Sequence, residues 1–157
     1  KENLKRVDWA ASNNVFLEYD IIKKHKLFFD KALNKFGIGE DQLFFLKLNN
    51  YGHRIYWSKT IKVFEDVHRH RLNLKWLIGR SYRLGVLGHY IDINIHGKPM
   101  GFIINYLKCV YYFVRAPSYF FLFFNSTFWA QILNYFSRSY GRLVGPLVFK
   151  KIDFFKR

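Results

Sequence analysis

The chain has 157 residues, enough for one domain with a modest core, and carries 26 Lys and Arg against 11 Asp and Glu, a formal charge of +15. Ten of the eleven acids fall in the first hundred residues, which leaves the C-terminal third basic and aromatic. A single cysteine, Cys109, excludes an internal disulfide framework and points to a reducing compartment.

In chain order, Lys1 to Arg6 is charged and no apolar run follows it, so a signal peptide is not expected. Asn13 to Tyr19 alternates in the manner of a strand, and Asp20 is placed to cap a brief helix, Ile21 to His25. Phe28-Phe29-Asp30 reads as an extended piece entering a loop that carries Gly37 and Gly39. Leu43, Phe44, Phe45, Leu46 and Leu48 then form the wide apolar face of a helix opened by Glu40-Asp41 and ended by Asn49-Asn50 and Gly52. Arg54 to Trp57 and Ile61 to Phe64 have the β-branched and aromatic content of strands, with the polar Ser58-Lys59-Thr60 between them. From Arg71 to Tyr90 the pattern is helical, with Leu72, Trp76, Leu77 and Leu84 on one side and Arg71, Lys75, Arg80 and Arg83 around it.

His96-Gly97-Lys98-Pro99 is the clearest break, because Pro99 disfavours helix at Lys98. After it, Met100 to Val114 and Ser118 to Phe136 are apolar helices divided by Arg115-Ala116-Pro117. Fourteen Phe, Tyr and Trp residues lie between Phe102 and Phe136 with only Lys108 and Arg115 as charges, a composition too apolar for a nucleic-acid groove and suited to a bilayer surface. Ala116 to Ser137 runs twenty-two residues without a formal charge, close to the roughly 20 that span a hydrocarbon core. Asn125, Ser126, Thr127, Gln131 and Asn134 would each need a partner in lipid, so shallow or hairpin insertion stands beside a true span.

The chemistry centres on Glu40 and Asp41. A carboxylate at the first turn of a helix is stabilised as the anion by the positive end of the dipole, and an anion is what a general base must be. A sugar hydroxyl is too weak an acid to ionise first, so its proton leaves as the new bond forms, a step to which a positioned carboxylate contributes about 10²–10⁴-fold. Helix capping is the alternative role for the same two residues.

The surrounding string resembles the family-2 glycosyltransferases, inverting enzymes of the A-type fold. The likeness begins at Ala10-Ala11-Ser12-Asn13-Asn14-Val15-Phe16 and continues through Phe29-Asp30 into Gly37-Ile38-Gly39-Glu40-Asp41. It then takes in Lys47-Leu48, Gly52, Ile55-Tyr56-Trp57, Glu65, Arg71 and Lys75-Trp76-Leu77, with a weak echo at Gly141-Arg142-Leu143-Val144-Gly145. The resemblance implies that Asp41 deprotonates the acceptor hydroxyl while Glu40 orients it. Trp76 would offer an indole face to the acceptor sugar or pack as a half-buried core residue. Arg71, Lys75 and Arg80 would reach a diphosphate or form a solvated basic face. Processive relatives place a Gln two residues before an x-Arg-Trp ending; the corresponding stretch here, Leu72-Asn73-Leu74-Lys75-Trp76, has no Gln and has Lys in place of Arg, so single-sugar addition is expected rather than polymerisation. His68 and His70 are two imidazoles without a third ligand, poor evidence for a metal.

The resemblance also implies a divalent metal, Mg or Mn, on an Asp-x-Asp pair, but this sequence contains no Asp-x-Asp, and Asp92-Ile93-Asn94 falls after the acidic pair rather than before it. The expected fold is therefore α/β, an α+β remnant. It comprises a truncated A-type glycosyltransferase domain with a few short strands over 1–95, followed by a mostly helical, basic, membrane-associated tail over 96–157. The expected partners are a nucleotide-sugar donor, a glycan or lipid-linked acceptor, a membrane surface and a separate donor-binding half, with no nucleic acid. The expected location is the cytoplasmic face of the cell membrane, peripheral or shallowly inserted. On this reading the chain is inactive alone, and the competing reading is a non-catalytic basic module that binds membrane surfaces.

Overall fold

A computed structural model describes residues 4–119 and 127–154. The protein is mostly helical rather than α/β: among the described residues, five α-helices accompany one two-stranded antiparallel sheet. The chain divides into two compact units, Lys1–Asp66 and Val67–Arg157.

In the first unit, strand β1 (Lys5–Val7) pairs with β2 (Ile55–Trp57), with Arg6 opposite Tyr56. Helix α1 (Tyr19–His25) follows a 3₁₀ turn at Ser12–Asn14, and a second 3₁₀ turn, Lys31–Phe36, precedes helix α2 (Glu40–Asn50). The expected strand over Asn13 to Tyr19 is absent. Asn13 and Asn14 favour turn geometry, and Val15 and Leu17 pack directly on the cluster Leu27, Phe44, Phe45 and Leu48 without a neighbouring strand. Ile61 to Phe64 is likewise no strand; Ile61, Val63 and Phe64 are exposed and find no sheet to join. β-rich composition forms strands only where a pleated surface exists to receive it, and three-residue strands supply almost none.

α2 holds this unit together. Its Leu43, Phe44, Phe45 and Leu48 are buried, each contributing about 1.5–3 kcal/mol of apolar burial. Phe44 stacks on Phe29 at 4.8 Å and meets Phe45 edge-on at 5.1 Å. Asp30 fixes the approach to it, its carboxylate accepting from the Ala32 N–H at 2.9 Å.

The second unit is three helices: α3 (Leu74–His96), α4 (Lys98–Ser118) and α5 (Phe128–Phe154). Asn73 caps α3, its side-chain oxygen accepting from the Trp76 N–H at 2.8 Å. Gly97 alone joins α3 to α4, as C-cap of one and N-cap of the other. α4 ends at Ser118, one residue past the expected break at Arg115-Ala116-Pro117.

α3 and α5 cross where glycines remove the side chains between two backbones. A Cβ at Gly141 would run into the Tyr82 carbonyl oxygen and come within 3.0 Å of Gly85 Cα; a Cβ at Gly85 would meet the Arg138 carbonyl. Phe149 stacks on Tyr90 at 4.4 Å further along the same seam. Polar residues share this interior: Ser81 hydrogen-bonds Asn134 across α3 and α5, and the Ser139 hydroxyl donates to the Cys109 carbonyl at 2.9 Å.

Among the described residues no helix is long and apolar enough to cross a membrane. Of the expected insertion Ala116 to Ser137, residues 120–126, including Asn125, lie outside the described residues. The described remainder forms the end of α4 and the start of α5, where Phe128 and Ile132 are buried.

Candidate functional site

The acidic pair stands where the expectation put it, on the first turn of α2. Gly39 is the N-cap, with φ of 91° in the left-handed region, a conformation that costs glycine nothing and turns the chain sharply into the helix. Having no side chain, Gly39 caps nothing itself, and the positive end of the dipole faces the two first-turn carboxylates. Asp41 Oδ1 accepts from the Gln42 N–H at 2.7 Å. Glu40 Oε2 is buried and has no hydrogen-bond partner among the described residues. A desolvated carboxylate oxygen without a donor is costly.

The basic residues nominated with the pair belong to the other unit. Lys75 and Arg80 are exposed on the first two turns of α3, and Trp76 is half-buried between them. The Arg80 guanidinium lies 5.3 Å from the Trp76 ring centroid, one turn along, so one face of the indole already carries a cation. Arg71 is not on this helix; it ends the 3₁₀ turn Arg69–Arg71, two residues before the Asn73 cap.

Three groups of titratable residues escaped the sequence reading. In the second unit Asp92 is buried and takes two cations: Arg142 Nη1 at 2.7 Å from Oδ2 and Lys108 Nζ at 2.6 Å from Oδ1. Arg142 also donates to Asn105 Oδ1 at 3.1 Å, and Asn105 Nδ2 returns a bond to the Arg142 carbonyl at 3.2 Å. Asn105 is 0% exposed, so this network is the polar centre of the three-helix unit. The signal for it is the register of Gly85, Gly88 and Asp92, three to four residues apart and therefore on one side of α3.

His89, one turn before Asp92, is buried, and its Nδ1 has no partner among the described residues. Burial holds its imidazole below the ordinary value of 6.5; Arg142 adds to that depression and Asp92 opposes it. In the first unit, His25 and His53 bring their Nε2 atoms to 2.9 Å, and Tyr51 stacks on His25 at 4.3 Å. Partial burial, then His53, then Lys24 lower the pKa of His25.

His68 and His70 stack on one another at 5.6 Å. Among the described residues no group of three or more His, Cys, Asp or Glu is placed to hold a metal ion. Family models, curated proteins and solved structures were each searched with this chain, and none matches it.

Proposed function

We propose that the chain contributes the acceptor side of an inverting sugar transferase, with Asp41 as general base. In the proposed step the Asp41 carboxylate takes the proton of an acceptor hydroxyl. The hydroxyl oxygen forms its bond to the anomeric carbon, and the bond from that carbon to the nucleoside diphosphate breaks on the opposite face. Glu40 orients the acceptor. The donor is a nucleotide sugar, and the acceptor is a glycan or a lipid-linked sugar. Separately, Arg71, Lys75 and Arg80 are proposed to contact phosphate, with the free face of Trp76 against a sugar ring. A divalent metal belongs to this chemistry in the resembling family, and no step here is routed through one.

The observation that supports the reading is the placement of the acidic pair: two carboxylates on one helix-opening turn behind a glycine N-cap. The capping and general-base roles of Asp41 separate experimentally, because Asn keeps a side-chain oxygen that accepts from the Gln42 N–H and loses the basicity. The chain, supplied with a donor-binding domain in cis or in trans, is assayed for transfer from labelled nucleotide sugars. Asp41→Asn is expected to lower turnover about 10²–10⁴-fold with its unfolding midpoint unchanged, whereas Asp41→Ala loses turnover and about 1 kcal/mol of stability as well. Full transfer by Asp41→Asn would leave Asp41 as a cap only.

A further inference from the structure

α4 is built inside out for a water-facing helix. The side packed on α3 and α5 is mostly small or polar: Gly101, Asn105, Lys108, Cys109 and Ala116, together with the Tyr112 ring under Arg138 and Arg142. The outward side is large and apolar: Met100, Ile103, Leu107, Val110, Tyr111 and Val114 are all exposed, Leu107 at 65% and Val114 at 66%. From Met100 to Val114 this stripe is about 21 Å long. A helix packed in water turns these two sides the other way; small and polar residues inside with apolar residues outside is how helices pack when lipid is the solvent.

The charge around the stripe says which occupant fits. The second unit holds fourteen Lys and Arg against two acids, Asp92 and Asp153, so +12 of the +15 resides there. Asp92 is buried against Arg142, which removes it from the surface field. The stripe is bracketed by Lys98 at the start of α4 and the exposed Arg115 near its end. A second copy of so cationic a unit would be repelled, whereas anionic headgroups would be attracted.

We infer that α4 docks in the plane of an anionic bilayer, with its Met100–Val114 stripe at the boundary of headgroups and acyl chains and Lys98 and Arg115 on lipid phosphates. The sequence placed the bilayer-suited composition over Phe102 to Phe136 and the insertion at Ala116 to Ser137; the described part of α5 buries Phe128 and Ile132 while exposing Trp129, Leu143 and Leu147, and α4 carries the longer continuous exposed stripe. The inference stands apart from the role of Asp41, and its readout involves no sugar transfer.

The test is flotation of the full chain with phosphatidylcholine vesicles, pure or with about 30% phosphatidylserine, at low salt and at about 0.5 M salt. Wild type is expected to float with the anionic vesicles, less with the neutral ones, and to lose part of its binding in salt. The double variant Leu107→Ser/Val110→Ser adds no charge and alters two exposed positions, so its helicity is expected to be unchanged. Its partition should nonetheless fall by roughly tenfold or more. Phe16→Ser, an equally drastic change at an 85% exposed aromatic of the first unit, serves as the control and should bind as wild type. Equal flotation by the double variant would overturn the assignment. So would a wild-type dimer in solution that the double variant dissociates while neither form binds vesicles, which would make the stripe a contact between copies.

Discussion

Breaking the Asp92–Arg142 pair tests the account of the three-helix unit most directly. Asp92→Asn removes the charge that answers a guanidinium whose side chain is almost fully buried, leaving Arg142 with Asn105 Oδ1 at 3.1 Å as its acceptor in the network. Removing one partner of a buried pair costs about 3–5 kcal/mol, because the remaining charge is stranded. Arg142→Met is the milder half: Asp92 retains Lys108 at 2.6 Å, and Lys108 is 44% exposed, so solvent shares in stabilising that pair. The cost there should sit near the lower end, about 3 kcal/mol. Asp92→Asn/Arg142→Met removes both charges and releases Lys108 to water, leaving neutral amides that have lost a partner, at about 1–3 kcal/mol. The double variant should therefore be no worse than either single change, a coupling of several kcal/mol against a total stability of about 5–15 kcal/mol. Urea unfolding of the four proteins, followed by circular dichroism with m-values compared, measures it. If Asp92→Asn costs less than about 1 kcal/mol, or the double variant costs the sum of the singles, the network is not the polar centre described above.

Two further outcomes follow from particular contacts. Gly141→Ala should destabilise by about 1–3 kcal/mol, since its methyl group would meet backbone of α3 that cannot rotate away. Gly79→Ala, on the same helix pair but with its nearest neighbour the flexible end of Arg83 at 4.0 Å, should stabilise by up to about 1 kcal/mol; urea midpoints distinguish the two. Stability should also fall on acidification. His89 is held neutral in the fold by burial and by Arg142, so the unfolded chain takes up its proton first, and stability present above about pH 6.5 is lost as the pH drops through that value. Midpoints at about pH 7.5 and pH 5.0 should differ less in His89→Gln than in wild type. His25 acts in the same direction, so the comparison is made between variants rather than on wild type alone.

What was legible in the sequence was local. The α2 boundaries came from Glu40-Asp41 and Asn49-Asn50, and the α3–α4 break from Gly97 and Pro99, because caps and helix breakers act within a turn of where they stand. The misread segments were those whose state depends on a distant partner. Val15 and Leu17 alternate as a strand does, yet the surface that receives them is the side of a helix. Asp92 and Arg142 are fifty residues apart, and Gly85 meets Gly141 across a similar interval. Nothing in the spacing of either pair announces the contact, since it is set by how α3 and α5 cross. The acidic pair was found for a local reason too, as a helix start, and the burial of the Glu40 oxygen, without a partner among the described residues, emerges only once the surrounding unit has folded.

The single-residue joint at Gly97 has a mechanical consequence. With no slack in the connection, α3 and α4 cannot slide lengthwise past one another, and their relative freedom reduces to rotation about one backbone position. A load applied along α4 is delivered to the buried Asp92 end of α3 rather than absorbed in a loop.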